Sequence, residues 1–107
     1  MRHWHRFEPV AAMASRWRRR PVCALIDGDG RQWQVALRMI DGRGAQLEGG
    51  PPPALGTSVE LVHPEAGAIG ATVSEIGTGC FRIRFDDSER AVAYALAAIA
   101  ADMTRRR

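Results

Sequence analysis

Val22-Cys23-Ala24-Leu25-Ile26-Asp27-Gly28-Asp29-Gly30-Arg31-Gln32-Trp33-Gln34-Val35-Ala36-Leu37-Arg38-Met39 is the stretch that decides the fold of this chain. Val22–Ile26 is a short apolar run with strand character. Asp27-Gly28-Asp29-Gly30 then supplies the residues that tight hairpin turns demand, because Gly and Asp tolerate the left-handed backbone there. Trp33, Val35, Leu37 and Met39 follow, alternating with Gln34, Ala36 and Arg38, the two-residue period of a strand with one face buried. Two strands and a tight turn make an antiparallel hairpin, so the chain opens its ordered part as a β protein.

Downstream, the same pattern repeats. Gly42-Arg43-Gly44 breaks the second strand and Ala45-Gln46-Leu47 resumes extended structure. The run Gly49-Gly50-Pro51-Pro52-Pro53 excludes helix and central strand. Val59 and Leu61 alternate again, up to a turn cluster at His63-Pro64-Glu65-Ala66-Gly67 that places His63 on the surface. Ile69, Ala71 and Val73 form one strand face, and Phe81, Ile83 and Phe85 the next, with Arg82 and Arg84 turned outward. Strands recurring about every ten residues between Gly/Pro turns argue for a small antiparallel barrel of six strands. The last element is helical. Asp86 is the expected N-cap, with Glu89 three residues on completing a capping box. Val92, Leu96, Ile99 and Met103 make one apolar stripe, expected to close one end of the barrel.

Upstream of the hairpin stands Arg16-Trp17-Arg18-Arg19-Arg20. All fifteen basic residues of the 107-residue chain are Arg, and six of them fall between Arg2 and Arg20. Three more, Arg105-Arg106-Arg107, close the chain. Net charge is only +3, so the asymmetry rather than the total favours an acidic or phosphorylated partner. Guanidinium groups grip phosphate and guanine edges at two points, as ammonium groups do not. Residues Phe7, Val10, Ala11, Ala14 and Trp17 fall at helical spacing, so 1–15 reads as a short helix or an arm. The main domain then covers 16–103, and 104–107 form a basic tail.

The remaining features narrow the function. Cys23 and Cys80 match no metal spacing and sit in apolar strand contexts, as buried thiols of a reducing compartment do. His3 and His5 have no acidic or cysteine partner at ligand spacing, so no metal site is expected. No secretory signal stands out, and the apolar stretch Ala91–Ala101 is too short to span a bilayer. These readings favour a cytoplasmic protein with no membrane contact. Ser58, Ser74 and Ser88 lie in no nucleophile motif, and no P-loop or dinucleotide fingerprint is present. The chain therefore reads as a non-catalytic module that needs no cofactor. Trp33 belongs to the core, whereas Trp17 is suited either to packing or to stacking on a base.

An arginine cluster, five or six short strands and a C-terminal helix, in that order, resemble the PilZ domain, a bacterial cyclic-di-GMP receptor module. The strings Gly56–Leu61, Ala68–Val73 and Phe81–Phe85 are similar to that family's middle and late strands. The resemblance implies a split-barrel type of fold and a nucleotide grip made of two motifs. The first, RxxxR, matches Arg16 and Arg20, with Arg19 between them; Arg2 and Arg6 have the same spacing. The second, (D/N)xSxxG, aligns with Met39–Gly44, putting Met39 at the Asp/Asn position, Asp41 at the Ser position and Gly44 at the Gly position. Arg43 stands beside Asp41 to balance its charge. The site residues implied for cyclic di-GMP are thus Arg16, Arg19, Arg20, Asp41, Arg43 and Gly44. Met39 offers no hydrogen bond to a guanine edge, so a second reading stays open: an adaptor that has lost the nucleotide and binds another protein. A protein partner is expected in either case, the chain acting as monomer or homodimer. Nonspecific nucleic-acid binding by the Arg tracts is the least favoured alternative.

Overall fold

A computed structural model describes residues 21–105. Six strands, β1 (Val22–Asp27), β2 (Gln32–Ile40), β3 (Gly44–Glu48), β4 (Ser58–His63), β5 (Gly67–Gly77) and β6 (Cys80–Phe85), precede one helix, α1 (Ser88–Arg105). The strands close into an antiparallel barrel in the order β1-β2-β3-β6-β5-β4. β1 pairs with β2 in the expected hairpin and with β4 on its other side, where Leu25 faces Leu61 across the closing seam. Closure leaves no sheet edge to attract another chain. Asp27 sets the hairpin turn, its Oδ1 accepting the N–H groups of Asp29 and Arg31 at 2.9 and 3.0 Å.

Alternation fills the barrel as the period predicts: Leu25, Val35, Leu47, Leu61, Ile69, Val73, Phe81 and Ile83 are almost fully buried. Both cysteines are buried free thiols. Trp33 is half-buried and packs against the core rather than within it. His63 departs further from expectation. It is only 1% exposed, because it ends β4 facing inward, and its Nδ1 accepts the N–H groups of Glu65 and Ala66 at 3.0 and 3.1 Å. The turn is built on this side chain.

Two bulges interrupt the ladders, between Leu37 and Met39 and between Val73 and Glu75. A bulge shifts the side-chain alternation by one position. Met39, expected inside, is therefore 56% exposed, while the side chain of Arg38 is only 5% exposed and lies 3.7 Å from Glu48 Oε1.

The helix begins one residue later than the capping box implies. Asp86 is still held in the sheet: its N–H donates to Gly70 O, and its Oδ1 accepts the Thr72 hydroxyl at 3.0 Å. Asp87 is the cap instead, its Oδ1 accepting the N–H groups of Glu89 and Arg90 at 3.0 and 3.2 Å. The helix extends to Arg105, through the first two positions of the expected basic tail. Its rotation also reverses the expected burial. Ala91, Tyr94, Ala95 and Ala98 face the barrel, whereas Val92, Leu96, Ile99 and Met103 are 52%, 63%, 41% and 59% exposed.

Tyr94 sets that rotation. Its hydroxyl lies 3.2 Å from Leu61 O and 2.9 Å from Gly67 O, at the turn end of β4 and β5, and its ring meets Phe85 edge-on at 5.6 Å. Burial, with a contribution from Cys23, raises the Tyr94 hydroxyl well above its ordinary value. In the unfolded chain that hydroxyl ionises first, at about pH 10. Stability should therefore fall as pH rises above about 10, and Tyr94→Phe should flatten this alkaline slope in denaturant titrations.

Gly44 is required by close packing against backbone. A Cβ on Gly44 would run into the backbone carbonyl of Ile83, whereas one on Gly28 would meet nothing within 4 Å. Gly44→Ala should cost about 2–4 kcal/mol by chemical denaturation, against within about 0.5 kcal/mol for Gly28→Ala.

Candidate functional site

The turn between β2 and β3 is held by one carboxylate. Asp41 Oδ1 accepts the N–H groups of Arg43 and Gly44 at 2.8 and 3.0 Å, and the Asp41 N–H donates to Gly44 O at 3.0 Å. Asp side chains favour such turns because they can replace a backbone acceptor two residues on. The second oxygen, Oδ2, faces Arg82 Nη2 at 3.7 Å. The Arg43 carbonyl accepts the Phe85 N–H at 2.8 Å, tying the turn to the end of β6.

This arrangement explains the charge state of Asp41. Its partial burial acts to raise the carboxyl pKa, but the Arg43 and Gly44 N–H groups outweigh that effect, assisted by the guanidinium groups of Arg82 and Arg43. The net result lies below the ordinary value. Asp41 is thus an ionised post that shapes the turn, with its oxygens turned to its own loop and to Arg82.

Around it the barrel's outer face carries three arginines, Arg43, Arg82 and Arg84, interspersed with the carboxylates of Asp41, Glu75 and Asp86. β3 pairs with β6 so that Gly44 faces Arg84 and Gln46 faces Arg82. Arg43 and Arg84 are exposed, and the Arg82 side chain is 36% exposed. Thr72 and Glu75 lie opposite Arg84 and Arg82 on β5. Two arginines that alternation had turned outward, Arg82 and Arg84, therefore join the expected Arg43. Their relation to the β2–β3 turn depends on a long-range register that local pattern does not encode. Gly44 lets this layer form by bringing β3 against the Ile83 carbonyl.

Of the residues expected at the site, Asp41, Arg43 and Gly44 come together on this face. Arg16, Arg19 and Arg20 lie outside the described residues, as do Arg2, Arg6, Trp17, His3, His5 and the expected element within 1–15. Met39 borders a groove of mixed character, lined also by Pro21, Leu37, Arg38, Ile40, Ala98, Ile99, Asp102 and Met103. Among the described residues no cluster of three or more His, Cys, Asp or Glu could hold a metal ion, and no helix is long and apolar enough to cross a membrane.

A closed six-stranded antiparallel barrel with one C-terminal helix is a PilZ-like fold. One similar solved structure is the crystal structure of the PilZ domain of CeSA from a cellulose-synthesizing bacterium. The two share 14% sequence identity with a TM-score of 0.59, over 82% of this chain and 94% of that one. At that identity the likeness concerns the fold. No family profile and no curated protein matches the sequence.

Removing the post should loosen the turn. Asp41→Ala should cost about 0.5–1.5 kcal/mol at neutral pH. Because the folded-state pKa is depressed, the stabilisation from Asp41 is present above about pH 4 and is lost as pH falls below it. Acid titration of stability should therefore be shallower in Asp41→Ala than in the parent chain.

Proposed function

We propose that this chain is a non-catalytic signalling module of the cyclic-di-GMP receptor type, acting in the cytoplasm of a bacterium, whose anion grip is built from arginine. The observation that carries the reading is the outer face of β3 and β6. There Arg43, Arg82 and Arg84 surround a turn that Asp41 holds from within. Guanidinium groups can fork onto each phosphate of a cyclic dinucleotide or onto the O6/N7 edge of guanine. Arg16, Arg19 and Arg20 are assigned to the same grip on their RxxxR spacing alone; the chain enters the described structure at Pro21, whose carbonyl accepts the Leu37 N–H on β2. Gly44 keeps the floor of the face free of a side chain. Ligand held between these arginines and the barrel would change the surface offered to a partner protein.

Met39 favours a second reading. It is exposed where the PilZ motif has Asp or Asn, and a site that pairs polar edges discriminates strongly against the loss of one. On this reading the barrel has given up the nucleotide and serves as a protein-binding adaptor.

Calorimetry with cyclic di-GMP separates the two. The receptor reading predicts binding that Arg20→Ala abolishes and that Met39→Asp combined with Asp41→Ser strengthens by about tenfold or more. Absence of heat at high micromolar ligand sinks it and leaves the adaptor.

A further inference from the structure

We infer that the outward stripe of α1 is a self-association surface on which a second copy of this chain packs its own α1 antiparallel, about a two-fold axis. The stripe is unusual in its placement. The helix turns Ala91, Ala95 and Ala98 toward the barrel together with Tyr94, and leaves its larger aliphatic side chains in solvent. A helix serving only to plug the barrel would bury the larger apolar groups, since burial free energy scales with apolar area.

The spacing of the stripe specifies the kind of partner. Val92, Leu96, Ile99 and Met103 are separated by four, three and four residues. That is the narrow seam of a helix pair rather than the broad face of a helix lying on a sheet. The flanking positions Ala93 and Ala100 are small, so two backbones can approach closely.

The seam is also symmetric under reversal. In an antiparallel pair centred between Ala97 and Ala98, Val92 of one copy meets Met103 of the other, and Leu96 meets Ile99. A two-fold interface requires this reciprocity, residue i meeting j while j meets i. Charge follows the same centre. Asp87 and Glu89 stand at the start of α1, and the sequence after Thr104 is Arg105-Arg106-Arg107, so reversal brings the acidic start of one copy toward the basic end of the other. Arg90 is directed elsewhere, its Nη2 donating to Ala68 O at 3.0 Å. The described apolar surface continues beyond the helix at Met39, which shares its groove with Ile99 and Met103. Apolar seam and terminal charges are thus both self-complementary, the property that singles out a second copy among possible occupants.

Sedimentation equilibrium of the full chain, without nucleotide, tests this independently of the ligand proposed above. The expected result is a particle of twice the 11.7 kDa chain mass at about 100 μM protein. Leu96→Glu should weaken association at least about thirtyfold, because it buries carboxylates in the seam. Circular dichroism and the cooperativity of the melt should be unchanged in that variant at low concentration, since Leu96 is exposed in the monomer. Glu89→Arg should weaken the dimer, and also changing Arg105, Arg106 and Arg107 to Glu should restore it, which reads the antiparallel polarity without touching the seam. A monomer at about 100 μM overturns the inference, as does a dimer indifferent to Leu96→Glu or a charge swap without rescue. If the chain is monomeric and Leu96→Glu accelerates tryptic cleavage within Arg16–Arg20, the occupant is the chain's own segment 7–17, and the second copy is excluded.

Discussion

The hydroxyl of Tyr94 is the contact on which the arrangement of this molecule turns. By reaching both Leu61 O and Gly67 O it fixes the helix to β4 and β5 and sets its rotation about its own axis. That rotation aims three alanines into the barrel mouth, where small side chains let the helix sit close. The larger aliphatic side chains of the helix, Val92, Leu96, Ile99 and Met103, are thereby turned to the outside. One buried hydroxyl, donating its single hydrogen to carbonyls at the turn end of β4 and β5, thus anchors the helix and leaves the stripe exposed.

The opposite side of the functional argument rests on a second polar anchor. Asp41 is an acid set among arginines, yet its oxygens serve the loop that carries Arg43 and the nearby Arg82. A carboxylate used in this way need not repel an anionic ligand as a free one would, because neighbouring guanidinium groups balance its charge. The same turn holds Gly44 against β6, so the fold and the arginines of this face depend on one short segment. The PilZ-like barrel and its arginine-rich face are thus two results of the same local chemistry.

Much of this was legible in the residues. The Asp27–Gly30 turn, the alternation in β2, β5 and β6, and the proline loop after Gly50 led directly to six strands and one helix. Local rules failed where a tertiary contact outweighed them. The bulge after Leu37 arises from pairing with β3, and it alone moves Met39 out and the Arg38 side chain in. Asp86 has good capping chemistry, but its Oδ1 is taken by the Thr72 hydroxyl and its N–H by Gly70 O, so Asp87 takes the role. Apolar size pointed to Val92, Leu96, Ile99 and Met103 as the buried stripe; the bonds formed by Tyr94 selected the alanine face instead. His63 looked like a surface residue because Pro and Gly surround it, although its ring is what satisfies the turn's N–H groups. The contribution of Arg82 to the site needed the β3–β6 register, which separates its partners by some forty positions in sequence.

The central claim is that an arginine face centred on the β2–β3 turn receives a cyclic dinucleotide. Nitrogen-15 NMR of the full chain during a titration with cyclic di-GMP tests it most directly. The account predicts saturable shifts of the Arg43, Gly44, Arg82 and Arg84 amides and of the arginine side-chain Nε–H signals, moving with those of Arg16–Arg20 at a single affinity. Spectra that stay unchanged, or shifts centred on His63 and the β4–β5 turn, would contradict it.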